Sequence, residues 1–317
     1  MATIETALGP IPDSQLGFTL SHEHVLSGAA RGFDLKAYPW MFDWVASRRV
    51  AIEALLAAKA AGVDSFIDLT TPVQGRDVAF MVDVARATGF NVVCGTGLYL
   101  DIPTSFVLRE IDENADIYVH EIEVGIDDTN VKAGVIKVAT DENRLTPEHE
   151  RTMRAAARAT NRTGCPISTH HWAVGEQGRE QIRIFKDEGM QMDRVCIGHA
   201  ADSTNLDYLE WLLNQGVYVS MDRYPGRPGR VQWQERNACV KALVERGWAS
   251  KLMLGHDGHA TFPFRKDQEP EGGFKNDESL LFLSRTAIPA LIADGVRQES
   301  IDLMMRESPR RFLTGEA

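Results

Sequence analysis

Short apolar runs alternate along the chain with longer segments in which apolar residues recur every three or four positions. Apolar runs of four to eight residues are typical of buried strands, and the longer spacing is typical of amphipathic helices. The predicted strands are residues 17–22, 63–69, 91–97, 133–139, 166–170, 194–198, 217–221 and 251–255. The predicted helices are residues 47–61, 78–88, 147–163, 179–188, 206–215 and 235–247. Strands that alternate with helices favour a parallel sheet with crossover helices.

The number of these units favours a closed (β/α)8 barrel, the TIM-barrel fold, over an open sheet. A chain of 317 residues has the length of one such barrel with insertions. No G-x-G-x-x-G pattern follows an early strand, so a dinucleotide-binding sheet loses support. No linker rich in Pro, Gly or Ser divides the sequence, and we predict a single domain over residues 1–317. We expect residues 301–313 to form a last helix on the outside of the barrel.

The charge balance excludes some classes of partner. Lys and Arg total 34 against 45 Asp and Glu, which gives a net charge of -11. A protein this acidic binds nucleic acid and anionic membranes poorly, so we predict neither as a partner. The sequence has no apolar run near the length of about 18 residues that spans a bilayer, and its first residues lack the basic start of a signal peptide. With four cysteines and no C-x-x-C pair, we expect a cytoplasmic protein with cysteines in its core.

Ionisable residues cluster where the predicted strands end. His22 and His24 close the first strand, and residues two apart on a strand face the same side. His170, His199 and Asp257 end the fifth, sixth and eighth strands. Each residue alone also fits a capped or paired strand end. Because the C-terminal strand ends of a barrel meet at one rim, and imidazole with carboxylate suits first-row metals, we predict a metal site there.

Lys137 lies in AGVIKVA, an almost wholly apolar strand. An ammonium group buried there would be costly and would tend to lose its proton. A neutral lysine amine can take up carbon dioxide and become a carbamate, whose two oxygens can bridge two metal ions. The alternative is a lysine whose long side chain reaches the barrel mouth or pairs with an acid.

These motifs together resemble the phosphotriesterase family of the amidohydrolase superfamily, including its lactonase branch. The matching stretches are GFTLSHEH, GTGLY, AGVIKVATDE, PISTH, RVCIGHAAD, MDRY and LGHDG, and the likeness covers nearly the whole chain. The resemblance implies a hydrolase with two divalent metal ions, Zn, Mn, Co or Fe, bridged by carbamylated Lys137. The more buried ion would be held by His22, His24 and Asp257, and the more exposed ion by His170 and His199.

The resemblance also implies catalytic roles. A hydroxide that bridges the ions, formed from water whose pKa the metals lower, would attack the substrate. Asp257 would accept its proton, and Asp202 matches the next acid of the relay. Tyr99, in GTGLY, would hydrogen-bond the hydroxide or the leaving oxygen, and Arg223, in MDRY, would steer a carbonyl or join the relay. The alternative for Arg223 is a structural partner of Asp222 or of a loop carbonyl.

The leading hypothesis for the substrate is an N-acyl homoserine lactone or another γ- or δ-lactone, with weak phosphotriesterase activity. Departures from the common lactonase pattern at His171, at Arg227 and in the loop 262–274 keep an alternative open, an esterase or amidase for another small substrate. The basic residues Arg227 and Arg230 indicate either an anionic substrate or a solvated loop that only tunes the local field. A third hypothesis is a phosphotriesterase-related binding protein, which metal content would distinguish. The resemblance predicts a homodimer. The aromatic segment 33–44 would contact an acyl chain, pack under the barrel edge or contact the second subunit.

Overall fold

A computed structural model describes residues 2–27, 32–142, 145–266 and 280–316, with side chains from residue 34 onward in the second range. Nine strands in these ranges form one parallel sheet in the order β8-β7-β6-β5-β4-β3-β2-β1-β9. They are β1 Thr19–Leu26, β2 Ser65–Asp68, β3 Asn91–Gly97, β4 Val135–Ala139, β5 Ile167–His170, β6 Val195–Ile197, β7 Tyr218–Met221, β8 Leu252–Leu254 and β9 Gly258–Thr261. The sheet curls into the predicted (β/α)8 TIM barrel.

The eighth position of the barrel is shared by two short strands. β8 pairs with β7, and β9 pairs with β1, with Gly258 opposite Glu23. The residues around the break also bond to β1: the Ser21 hydroxyl donates to the Leu254 carbonyl at 3.0 Å, and the Asp257 amide donates to the His22 carbonyl at 2.9 Å. The prediction of one strand at 251–255 therefore missed β9, which begins with glycine and lacks an apolar run.

Helices cover the outside of the barrel. The α-helices of the described ranges are Gly32–Ala37, Trp44–Ala60, Val78–Thr88, Thr104–Leu108, Ile111–Glu123, Pro147–Thr163, Gly178–Asp187, Leu206–Asn214, Trp233–Glu245, Ile288–Ala293, Gln298–Asp302 and Ser308–Thr314. π-Helical turns lie at Leu283–Ala287 and Leu303–Glu307. Helix Ile111–Glu123 was not predicted, because it is rich in acidic residues and buries only a narrow face.

Side-chain caps explain where several of these helices begin and end. The carboxylates of Asp43 and Asp77 accept the amides of Ala46 and Phe80. Such caps satisfy amide donors that have no partner in the first helical turn. Helix Val78–Thr88 then ends at Gly89, whose left-handed backbone is accessible to glycine at little cost.

The last helix closes the bottom of the barrel. Phe312 and Leu313 pack against residues that fill the barrel interior, among them Val93, Tyr218 and Met253. The prediction that residues 301–313 form a helix is confirmed in outline, although a π-helical turn interrupts the segment. The expectation that this segment lies on the outside is met by Met304 and Met305, which share a core cluster with residues of the outer helices, but not by Phe312 and Leu313. These last two side chains seal the N-terminal end of the barrel, so we expect the functional site at the other end.

Two expectations from composition can be compared with the structure. Among the described residues no helix has both the length and the apolar character needed to cross a membrane. All four cysteines are buried with free thiols, as predicted.

The aromatic segment 33–44 divides into two parts: Phe42 belongs to the core, whereas Tyr38 and Trp40 are 43% and 69% exposed. The side chain of Phe33 lies outside the described residues.

Candidate metal centre

The barrel mouth brings together all of the side chains predicted to bind metal. They are His22 and His24 of β1, Lys137 of β4, His170 of β5, and His199 and Asp257 after β6 and β8. Lys137 Nζ lies 3.1 Å from His22 Nε2, and Asp257 Oδ1 lies 3.2 Å from His24 Nε2 and 3.5 Å from His22 Nε2. His199 Nε2 lies 2.7 Å from His170 Nδ1. The His22 and His199 rings stack with their centroids 4.6 Å apart, which joins these contacts into one continuous group of possible donor atoms.

The spacing and the chemistry of this group fit divalent cations. One donor atom from each of His22, His199 and Asp257 lies within 4.8 Å of the other two. Imidazole nitrogen and carboxylate oxygen are ligands of zinc and of related first-row ions. Several of these donor atoms carry lone pairs and face each other, and hydrogen bonds do not complement every one of them. A shared cation would satisfy them. These three donors come from β1 and from the segments after β6 and β8, so the geometry depends on the closed barrel.

The backbone around the site is unusual at several positions. His199, Arg223 and Asp257 have φ angles of 61°, 66° and 52°, in the left-handed region that side chains other than glycine seldom adopt. Such conformations persist only where surrounding contacts hold them, and they concentrate at functional sites. Gly97 has a φ of 107°, and a Cβ atom there would lie 2.0 Å from the Lys137 carbonyl oxygen. Glycine at this position therefore allows β3 to approach the strand that carries the lysine.

Burial favours the neutral forms of Lys137, His22 and His170. Lys137 is 1% exposed, and burial lowers the pKa of its amine to about 8, against the opposing effect of Asp257. Burial, followed by the charge of Lys137, lowers the pKa of His22 to about 4, and burial lowers the pKa of His170 to about 4. Neutral imidazoles offer the lone pairs that metal binding needs. The predicted tendency of Lys137 to lose its proton is confirmed in direction.

Asp222 holds two of the imidazoles and was missed as a site residue. Its fully buried carboxylate lies 3.0 Å from His22 Nδ1 and 2.8 Å from His199 Nδ1. A carboxylate at Nδ1 fixes the proton there and leaves Nε2 as the lone-pair donor toward the site. His24 is held similarly, by the Thr70 hydroxyl at 2.8 Å from its Nδ1. Asp222 could have been recognised from its spacing two residues after Ser220, on the same inward face of the seventh strand.

A line of alternating charges runs from the site to the loop after β7. Arg223 donates from Nε to Asp257 Oδ2 at 3.1 Å and from Nη1 to Asp202 Oδ2 at 2.6 Å. The buried Arg236 donates to Asp202 Oδ1 at 2.8 Å and to the Asp222 carbonyl oxygen at 2.8 Å. Within the described part of the chain, the Arg223 side chain thus binds two carboxylates and neither Asp222 nor a loop carbonyl. Its guanidinium stands between Asp257 and Asp202, which are the two acids of the predicted relay.

Tyr99 reaches the ligand group from β3. Its hydroxyl lies 3.4 Å from His170 Nδ1, and burial raises the pKa of that hydroxyl to about 12. The group therefore stays protonated and can donate a hydrogen bond near neutral pH. Asp141, a residue not predicted for the site, lies 3.8 Å from His170 Nε2. The interaction with His170 is the main cause that lowers the pKa of Asp141 to about 2.

The sequence did not show whether His171, Arg227 and Arg230 belong to the site. His171 faces away from the ligand group: its Nδ1 lies 2.5 Å from the Gly198 carbonyl oxygen and its Nε2 lies 3.0 Å from the Tyr208 hydroxyl. It therefore supports the turn that precedes His199. Arg227 and Arg230 are exposed on the loop after β7, where their carbonyls accept from Gln232 Nε2.

Comparisons with known proteins agree with this arrangement. A model of the phosphotriesterase family matches residues 2–313. The solved structure of the phosphotriesterase from Mycobacterium tuberculosis is similar with a TM-score of 0.89 and 39% sequence identity, covering 98% of each chain. Aryldialkylphosphatase of Saccharolobus solfataricus is 35% identical over 96% of this chain and 97% of that protein. N-acetyltaurine hydrolase of Xenopus tropicalis is 25% identical over 98% and 97%. The chain therefore belongs to the phosphotriesterase family and is a hydrolase.

Proposed function

We propose that this hydrolase opens lactones, with N-acyl homoserine lactones or other γ- and δ-lactones as substrates, and that it turns over phosphotriesters weakly. The observation that carries the proposal is the convergence of the four imidazoles, Asp257 and buried Lys137 at one barrel mouth. Lactones, esters and phosphotriesters share an electrophilic centre with a polar double bond to oxygen. A site that activates water can therefore act on each of them, and the loops decide the preference.

We assign the ligand group to two sets that would hold two divalent ions, Zn, Mn, Co or Fe. His22, His24 and Asp257 would hold one ion, and His170 and His199 the other. Lys137 would join both sets after its neutral amine adds to carbon dioxide, forming an N–C bond and a carbamate and releasing one proton. Bound ions would supply water of lowered pKa and would polarise the substrate's carbonyl oxygen.

The protein's own groups would handle orientation and the proton. Asp257 Oδ1 faces the imidazoles and would accept the proton of the attacking water, while its Oδ2 stays bound to Arg223. Arg223 keeps its own proton, since Asp257 and Asp202 outweigh the effect of burial and raise its pKa above the usual value. Asp202 would therefore orient Arg223, and a proton would reach Asp202 only by a path around the guanidinium. The protonated Tyr99 hydroxyl would donate to the leaving ring oxygen.

Proton release from a panel of lactones tests this proposal. The protein is loaded with Mn, Co or Zn in the presence of bicarbonate and offered acyl homoserine lactones, simple γ- and δ-lactones, linear esters and a phosphotriester. We expect kcat/KM for the best lactone to exceed that for the phosphotriester by at least about 10²-fold, or about 3 kcal/mol. A metal-loaded protein with no lactone turnover would contradict the lactonase assignment.

A second candidate function is hydrolysis of a small anionic ester or amide. Burial dominates the pKa shifts of Tyr99 and His259, and the charge of Arg227 lowers the pKa of both groups in addition. These contributions are small beside burial, but they place the charge of Arg227 close enough to Tyr99 and His259 to attract an anionic substrate, on a chain whose net charge is -11. N-acetyltaurine, the compound in the name of one relative, is an amide that carries a sulfonate. Arginine suits such an anionic group through paired donors.

The double variant Arg227→Ala with Arg230→Ala tests this candidate. If the substrate is anionic, we expect its KM to rise about tenfold, or about 1.4 kcal/mol, with less effect on neutral lactones. Arg49→Ala is a matched control, because Arg49 is an exposed arginine on the outer helix Trp44–Ala60. Equal KM values for anionic substrates in the variant and the wild type would rule out the anionic class.

We also propose a cytoplasmic homodimer that binds a small-molecule lactone or ester and neither nucleic acid nor membrane. The exposed aromatic side chains of Tyr38 and Trp40 support a contact between subunits.

A further inference from the structure

Glu23 lies between the two histidines of β1 and is used by neither set of donor atoms. Its carboxylate is fully buried and points away from them. Oε1 accepts the backbone amide of His256 at 2.7 Å and His256 Nδ1 at 2.8 Å, and Oε2 accepts the backbone amide of Gly258 at 2.8 Å. The two amides that Glu23 binds are those immediately before and after Asp257.

The segment held in this way is the strained turn that carries Asp257. Asp257 has a φ of 52°, which a residue with a side chain adopts only when its surroundings impose it. The Asp257 amide itself donates to the His22 carbonyl at 2.9 Å. Three consecutive amides, from residue 256 to residue 258, are therefore bound by two consecutive residues of β1.

His256 extends this arrangement. Its Nε2 accepts the Leu283 amide at 3.1 Å, so its proton resides on Nδ1 and is directed at Glu23. His256 is buried and neighbours Asp257 in the chain, yet it makes none of the short contacts among the donor atoms. The pair of Glu23 and His256 thus links β1 to the turn at Asp257 and to the π-helical turn Leu283–Ala287.

We propose that Glu23 and His256 are positioning residues that hold the Asp257 carboxylate in place against His22 and His24. This inference rests on the proposed role of Asp257 as metal ligand and proton acceptor. The same strand supplies two imidazoles through its inward side chains and fixes the facing carboxylate through its outward one. Glu23 therefore sets the geometry of the more buried metal-binding set without contacting an ion.

Glu23→Gln is the most direct variant, since it keeps size and hydrogen-bonding capacity but replaces one acceptor oxygen with an NH2 group. That group must face either the Gly258 amide or the donors of His256, so at least one of the bonds beside Asp257 is lost. We expect affinity for the more tightly held ion, measured by competition with a chelator, to fall 10- to 100-fold. We expect kcat to fall by a similar factor while KM stays within about twofold.

Glu121→Gln provides a matched control. Glu121 lies on helix Ile111–Glu123, outside the barrel. Its carboxylate accepts hydrogen bonds from two guanidinium nitrogens of the buried Arg76, at 2.8 and 2.6 Å. The same chemical change there tests whether the loss of any buried carboxylate is enough to lower metal affinity. The inference is overturned if Glu121→Gln lowers metal affinity as much as Glu23→Gln does.

Amide hydrogen exchange tests the positioning role independently of metal and of catalysis. In Glu23→Gln we expect amides in the peptide 255–261 to exchange at least about tenfold faster, with Glu121→Gln unchanged there. Unchanged exchange in this peptide would overturn the inference. If the wild-type protein binds no metal, the proposed function fails, and the exchange measurement still decides whether Glu23 holds the turn.

Variants of His256 keep the test decisive if Glu23→Gln does not fold. His256→Asn retains an N–H donor near the position of Nδ1, whereas His256→Phe removes it. We expect His256→Asn to keep metal affinity within about fivefold of wild type and His256→Phe to lose 10- to 100-fold. Equal affinities for the two variants would contradict a role for the bond to Glu23.

Discussion

Lys137→Met is expected to lower the metal content from about two ions per chain to one or fewer and to reduce kcat/KM by at least about 10³-fold, or about 4 kcal/mol. The methionine side chain has a similar length but cannot form a carbamate. Without a bridging anion, the two sets of donors at the barrel mouth are no longer joined. Metal analysis and lactone turnover under the same bicarbonate concentration measure both effects.

The stability of this variant distinguishes loss of the bridge from loss of the fold. Lys137 is buried in an apolar strand, and a buried amine costs more free energy than a thioether of the same length. We therefore expect the melting temperature of the metal-free variant to equal or exceed that of the metal-free wild type. Lys59→Met is the control for the substitution. Lys59 lies far from the site and donates hydrogen bonds to the carbonyls of Thr88 and Gly89. Full metal content and activity in Lys137→Met would contradict the bridging role.

Asp222→Asn is expected to weaken metal binding and kcat/KM by roughly 10²-fold. The carboxylate accepts Nδ1–H from both His22 and His199. An amide of the same size has one acceptor oxygen, so at least one imidazole must turn or change its tautomer. That imidazole then directs a proton, and not a lone pair, at the metal site.

The same substitution should destabilise the protein by about 1–3 kcal/mol, because a buried donor loses its acceptor. Metal titration and urea unfolding of the metal-free protein measure the two effects. Asp207→Asn, an exposed position at the start of helix Leu206–Asn214, is the control. If Asp222→Asn binds metal as tightly as the wild type, then the carboxylate does not orient the histidines.

The barrel was predictable because its strands are buried on both faces. β3 was predicted with its observed bounds, and the helices at 78–88 and 147–163 were predicted at the observed residues. The predicted first strand ended at His22, whereas β1 continues to Leu26 because it pairs with β9. That pairing joins segments more than 200 residues apart, and the apolar pattern of β1 alone does not reveal it.

The donor residues were predictable because histidines and an acid at strand ends of one barrel must converge. The residues that orient them were not, since their function lies in hydrogen bonds between distant segments. From the sequence, Asp222 was considered only as a possible partner of Arg223. Glu23 was expected only to face the side of the strand opposite to His22 and His24. Both are buried carboxylates whose partners lie on other strands.

The proton relay was predicted from the resemblance to the family, and the structure departs from a direct contact between its two acids. Asp202 occupies the matching position, yet the structure places Arg223 between it and Asp257. A guanidinium retains its proton under all ordinary conditions, so spacing in the sequence could not show whether the two acids communicate directly.

Anomalous diffraction from crystals grown with one metal and bicarbonate tests the central claim most directly. We predict two anomalous peaks at the barrel mouth, one beside His22, His24 and Asp257 and one beside His170 and His199. We also predict electron density for a carbamate that extends from Lys137 Nζ to both peaks. A single peak, or two peaks with an unmodified Lys137 between them, would contradict the bridged two-metal centre.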